Sequence, residues 1–193
     1  MYPLKPMKAY VLERVWQQSA AAGRVNRVLD GCAETPDEIM TVTDGNLPEA
    51  VEELKGMWPP DRPPDDVEVT YTRPLVFTTF EFGEEKKDLE ALAEKCPDNS
   101  KGLLSHIYGQ FARVTEQHPR KADAEQNHVC WPTFDFNTMT GCPHGCRYCY
   151  DGQFGKWIAM ACNLEAYTEA VIGPTIEEHP EQKCFRLLGL GTD

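Results

Sequence analysis

The sequence contains no stretch of about 20 consecutive apolar residues, which excludes a transmembrane helix of ordinary length. Its N-terminus, Met1-Tyr-Pro-Leu-Lys-Pro-Met-Lys8, also lacks the apolar core of about 7–15 residues that marks a secretory signal. Basic residues are scarce: 19 Lys and Arg face 31 Asp and Glu, a formal charge of −12. That balance favours solubility and argues against a nonspecific polyanion-binding surface, so nucleic acid is disfavoured as a partner. Internal repeats and low-complexity tracts are missing too. What is present, 193 residues with 41% apolar and 26% charged, suffices for one or two globular domains with a real core. A soluble, cytoplasmic chain without a membrane partner is expected. In a reducing cytosol its eight Cys read as metal ligands or buried thiols rather than a disulfide framework.

The fold class read from the pattern is α/β. Residues 1–57 form a small N-terminal α/β unit: a strand at Ala9–Leu12, a helix from about Gln17 to Leu29, a strand at Ile39–Thr43, the turn Asp44-Gly-Asn46, and a helical piece from Glu49 to Lys55. Residues 58–74 carry Pro59, Pro60, Pro63 and Pro64 among several Asp, a composition that cannot propagate a helix and reads as a linker at a domain boundary. A connecting region, 75–128, follows. It has strand chemistry at Leu75–Phe80, helix formers from Glu84 to Cys96, and a helix over Ser100–His118 whose Leu103, Ile107, Phe111 and Val114 make a core-facing stripe. Residues 129–193 open with a strand at Phe134–Met139 that leads straight into a cysteine run.

That run is Cys142-Pro-His-Gly-Cys146-Arg-Tyr-Cys149. Pro143 and Gly145 supply the bend that lets the sulfurs converge, and Cys thiolates are the usual ligands of iron–sulfur clusters. A structural zinc site needs four ligands, usually as a second pair further along, and neither C-x2-C nor H-x3-H follows. Cys162 is the remaining choice for a fourth ligand, and it keeps a structural zinc module or a noncatalytic iron–sulfur protein open as the alternative. Three protein ligands leave one iron of a [4Fe–4S] cluster without a side chain, as direct binding of a cofactor requires. Apart from the run, Cys32, Cys96, Cys130, Cys184 and Cys162 itself read first as small buried hydrophobes. His144 and Arg147 sit inside the run, placed to tune a cluster by hydrogen bonds or merely to shape the loop. His106, His118, His128 and His179 show no ligand spacing.

Thr140-Gly-Cys-Pro-His-Gly-Cys-Arg-Tyr-Cys-Tyr150 resembles the C-x3-C-x2-C signature of the radical S-adenosylmethionine (radical SAM) superfamily, including the aromatic residue before the last Cys. Within it the tight form G-C-P-H-G-C-R-Y-C-Y, with L-G-T-D downstream, looks most like the spore photoproduct lyase-like branch. The resemblance implies that Cys142, Cys146 and Cys149 ligate a [4Fe–4S] cluster whose fourth iron chelates S-adenosylmethionine. Reductive cleavage of the sulfonium then yields a 5′-deoxyadenosyl radical for hydrogen abstraction, in a lyase-like enzyme served by a flavodoxin- or ferredoxin-like reductant. It places the Tyr148 backbone near the adenine, and Gly189, Gly191, Thr192 and Asp193 near the SAM amino group, although the usual G-G-E is absent. No residue is identified as the catalytic hydrogen donor. The branch's chemistry on DNA stands against the −12 charge.

The resemblance also implies that residues 129–193 begin a partial (β/α)6 barrel, with the cluster loop after its first strand. Asn163 can N-cap a helix with Leu164, Tyr167, Val171 and Ile172 on one face; Pro174 kinks or restarts it, Pro180 stops it, and Cys184–Leu188 is the next strand. A full barrel takes about 250 residues, whereas residues 150–193 hold one helix and one strand. The chain is therefore expected to be an N-terminal fragment, weak as a catalyst and prone to self-associate through the apolar edge of the last strand.

Overall fold

The apolar run Ala9–Leu12 forms strand β1, buried along its whole length. In this computed structural model the described residues are 4–57, 72–83, 86–98, 100–111, 114–117, 133–141, 157–180 and 184–188, with backbone alone for 114–117, 133–135 and 184–188. After β1 come a short helix α1 (Glu13–Trp16), helix α2 (Ser19–Gly31), strand β2 (Ile39–Val42) and helix α3 (Leu47–Gly56), the β-α-β-α order expected. Strand β3 (Leu75–Thr78) lies beyond residues 58–71 but pairs with β1 in parallel, Ala9 opposite Leu75. Residues on both sides of the Pro-rich segment thus share one sheet.

That sheet has five strands in the order β2-β1-β3-β7-β6, with β7 at Ile158–Ala161 and β6 at Met139–Thr140. All neighbours are parallel except β6, which runs antiparallel to β7. The chain is therefore α/β with a mostly parallel sheet. Stepping from β1 to β2 and then back across β1 to β3 by right-handed crossovers puts α2 and α3 on opposite faces. The side chains agree: Lys8 reaches Glu53 on α3 and Tyr10 reaches Met57 at its C-cap. Val25 and Leu29 of α2, Val51 and Leu54 of α3, and the strand residues join one core. Covering on both faces is what lets β1 be apolar at every position.

A second sheet has the order β4-β5-β8, with β4 at Val114–Gln117, β5 at Thr133–Asn137 and β8 at Cys184–Leu188. Strand β4 is antiparallel to β5, and β8 is parallel to it, with Phe134 opposite Phe185. The strand expected over Phe134–Met139 is real but divided: at Thr138 the chain leaves the second sheet and enters the first as β6.

Two helices are shorter than expected. The stripe from Ser100 to His118 gives only helix α5, Lys101–Ile107. Gly109, at φ +62°, ends it: its N–H bonds to His106 O at 3.2 Å and that of Gln110 to Ser105 O at 2.7 Å. These are the paired bonds of a Schellman stop, and Val114 lies in β4. Of the residues from Glu84 to Cys96, only Leu89–Ala93 is helical (α4), capped by Asp88 accepting from the Glu90 and Ala91 amides. Strand β7 was not anticipated; it separates the cysteine run from the helix after it. That helix begins at Leu164–Tyr167 (α6), widens to a π-helical stretch over Thr168–Ile172 and resumes as α7, Gly173–Glu178. The Gly173 N–H reaches back to Thr168 O, so Pro174 restarts the helix as expected.

Candidate functional site

The residues singled out for chemistry, Cys142, Cys146, Cys149, Tyr148, Gly189, Gly191, Thr192 and Asp193, all lie outside the described residues, as do His144 and Arg147. What the structure places is the frame around the cysteine run. Residues 142–156 leave from Gly141 and return at Trp157, and these two ends touch. Gly141 has φ +81°, and a Cβ there would stand 2.2 Å from Trp157 O. The ends are held by β6·β7 pairing, Met139 opposite Met160 and Thr140 opposite Ala159. The Trp157 indole N–H donates to His106 Nδ1 at 2.7 Å, and the two rings meet edge to face. His106, without ligand spacing in the sequence, thus braces the exit of this segment.

The entry side is braced by aromatic rings. Phe80 stacks on Tyr167 at 4.6 Å between centroids, and Phe136 of β5 meets Tyr167 edge to face at 6.4 Å. Burial pushes the Tyr167 hydroxyl up to about 12. Asn163, expected as an N-cap, makes no cap bond. Instead its side chain accepts from Phe80 N at 2.7 Å and donates to Phe80 O at 3.1 Å, which pairs both backbone groups of a buried residue that has left the sheet. At the carboxyl end of β5, Asn137 is 5% exposed, and among the described residues its Oδ1 has no hydrogen-bond partner.

Cys162 is 3% exposed, and burial pushes its thiol up to about 12. Its Sγ lies 3.8 Å from Met160 O. That burial is what a small core hydrophobe shows. Cys32 is likewise buried and Cys96 half-buried, both free, with burial raising each thiol.

A second constellation was not read from the sequence. At the carboxyl ends of β1, β2 and β3 the side chains of Arg14, Asp44, Glu81 and Lys87 form a closed circuit with Tyr108. Arg14 pairs with Glu81, whose side chain is 1% exposed, and donates to Thr79 O at 2.8 Å and Tyr108 O at 3.2 Å. Glu81 also accepts from the Lys87 amide at 2.9 Å and the Gln110 side chain at 3.0 Å. Tyr108 donates to Asp44 at 2.8 Å, and Lys87 reaches the same carboxylate at 3.1 Å. These two bonds, the tyrosine's first, hold the Asp44 carboxyl below the usual range. The circuit borders a cavity of about 390 Å³ between the loops after β1 and β2. Its charges are matched in pairs, so it reads as a braced strand-end network. One signal was available: Glu13-Arg14 and Glu81 directly follow strand runs, where open parallel sheets put polar groups. Comparison with protein-family models, with curated proteins and with solved structures returns no match for this chain.

Proposed function

We propose that this chain is the cluster-binding part of a radical SAM enzyme, most similar to the spore photoproduct lyase-like branch. The observation that carries the reading is the run Cys142-x3-Cys146-x2-Cys149 set between β5 and the α6–α7 helix, with β8 returning parallel to β5. Strands β5 and β8 would then be the first two strands of a partial barrel. The donor chemistry suits the group: three thiolates lie on one short segment. A bound [4Fe–4S] cluster with one iron free of protein ligands would chelate S-adenosylmethionine and supply the electron for its reductive cleavage. The chain's own contributions are ligation by Cys142, Cys146 and Cys149, a Tyr148 backbone beside the adenine, and Gly189, Gly191, Thr192 and Asp193 around the SAM amino group. A flavodoxin- or ferredoxin-like reductant would be the protein partner. The −12 charge disfavours DNA as the substrate.

Anaerobic reconstitution with iron and sulfide is expected to load about four irons per chain. Ala at Cys142, Cys146 or Cys149 should abolish loading, whereas Cys96→Ala and Cys162→Ala should not. With dithionite, the loaded protein should convert SAM to 5′-deoxyadenosine, or at least change its cluster spectrum when SAM is added. Stoichiometric zinc after anaerobic purification, or a cluster indifferent to SAM, would overturn the reading.

A further inference from the structure

A cavity of about 300 Å³ opens between α2 and the strands β7 and β6. Its walls are apolar: Val28 of α2, Met139 of β6, Met160 of β7 and Leu164 of α6. Arg24 and Arg27 stand on its rim, one helical turn apart on the face that also presents Val28. Arg24 is committed to structure. It donates to Cys162 O and to Glu165 Oε2, each at 2.8 Å, and this contact holds the exposed Glu165 carboxyl down to about 2. Arg27 differs: among the described residues it makes no ion pair or hydrogen bond. In a chain of net charge −12, an uncommitted guanidinium over an apolar cavity is a local reversal of the surface.

We propose that this cavity binds a small amphipathic carboxylate, its apolar body against Val28, Met139, Met160 and Leu164 and its head on Arg27. The volume is at the lower end of ligand cavities, about 300–1,000 Å³, which favours a compact single-chain molecule over a polymer segment. Arginine's planar fork matches a carboxylate through two parallel hydrogen bonds, and Arg27 both lines the cavity and is exposed. Unbranched methionines on two adjacent strands adapt their shape to such a body. The site is argued from described residues outside the cysteine run and stands or falls apart from the cluster reading.

The test is a titration of the full chain, carrying ¹³C-methyl methionine, with octanoate followed by NMR. Saturable shifts are expected at the Met139 and Met160 methyls, with the other methionines unmoved. Arg27→Glu removes the cation and adds a like charge, and should weaken binding about tenfold while circular dichroism stays unchanged. Octanol and octyltrimethylammonium should bind more weakly than octanoate. Chain with Cys142, Cys146 and Cys149 all replaced by Ala should bind octanoate as well as the native chain. The proposal is overturned by shifts spread over all methionines, by equal affinity for octanol, by indifference to Arg27→Glu, or by shifts that follow protein concentration and so report self-association.

Discussion

Asn163 does the work of a strand residue without being in a strand. Where β3 ends, Phe80 still carries a buried N–H and C=O, and the Asn163 amide satisfies both. Asn163→Ala strands two buried backbone groups, each costing about 1–3 kcal/mol. Urea unfolding should therefore show a loss of roughly 2 kcal/mol or more. Asn163→Asp, which keeps only the acceptor toward Phe80 N, should fall between the two. A loss below about 0.5 kcal/mol for the Ala variant, the range of ordinary surface changes, would show that this bracing is dispensable. Glu81 is a second case at this scale. Buried at 1% side-chain exposure, it is tolerated because Arg14, the Lys87 amide and Gln110 all donate to it.

At the level of elements, glycines decide where runs of good helix formers stop. Gly109 is needed twice over: its φ is +62°, and a Cβ would lie 2.2 Å from Thr79 O. Gly109→Ala should lower stability by at least about 1–3 kcal/mol. Gly23, inside α2 with nothing within 4 Å of a would-be Cβ, is the matched control. Gly23→Ala should raise stability by about 0.5–1 kcal/mol through helix propensity. Thermal and urea unfolding of the two variants check both signs, and equal shifts would contradict the account. Gly141 resembles Gly109 in conformation and contact, so the segment carrying the cysteines starts at a position closed to any side chain.

Across the whole molecule, the first sheet takes strands from distant parts of the chain. Strand β1 lies between β2 and β3, and β3 lies between β1 and β7. Residues 1–57 read locally as a complete β-α-β-α unit, yet β1 would lose a ladder partner and its share of the core without Leu75, Phe77 and Ile158. Residues 1–57 expressed alone are thus expected to show no cooperative urea transition, with one restored on co-expression with residues 72–193. A sigmoidal transition for 1–57 by itself would make that unit autonomous. At this same scale, no described helix is long and apolar enough to cross a membrane.

Local chemistry was enough to identify β1, β2, α2, α3, β3 and β8, because each is a short run whose apolar spacing has one sensible reading. It also marked the cysteine run, since three thiolates within eight residues constrain one another whatever surrounds them. Other features depended on distant partners. The stripe through Phe111 and Val114 keeps helical spacing past Gly109, where a positive φ, a Schellman pair and close packing against Thr79 end the helix. Strand β7 is a run of four residues that becomes a strand by pairing with β3 on one side and β6 on the other. The Arg14–Glu81–Lys87–Asp44–Tyr108 circuit and the Arg27 cavity join residues far apart in the chain. A sequence displays which groups are available and how they alternate, but which strand ends and helix faces meet is decided by the crossovers of the sheet.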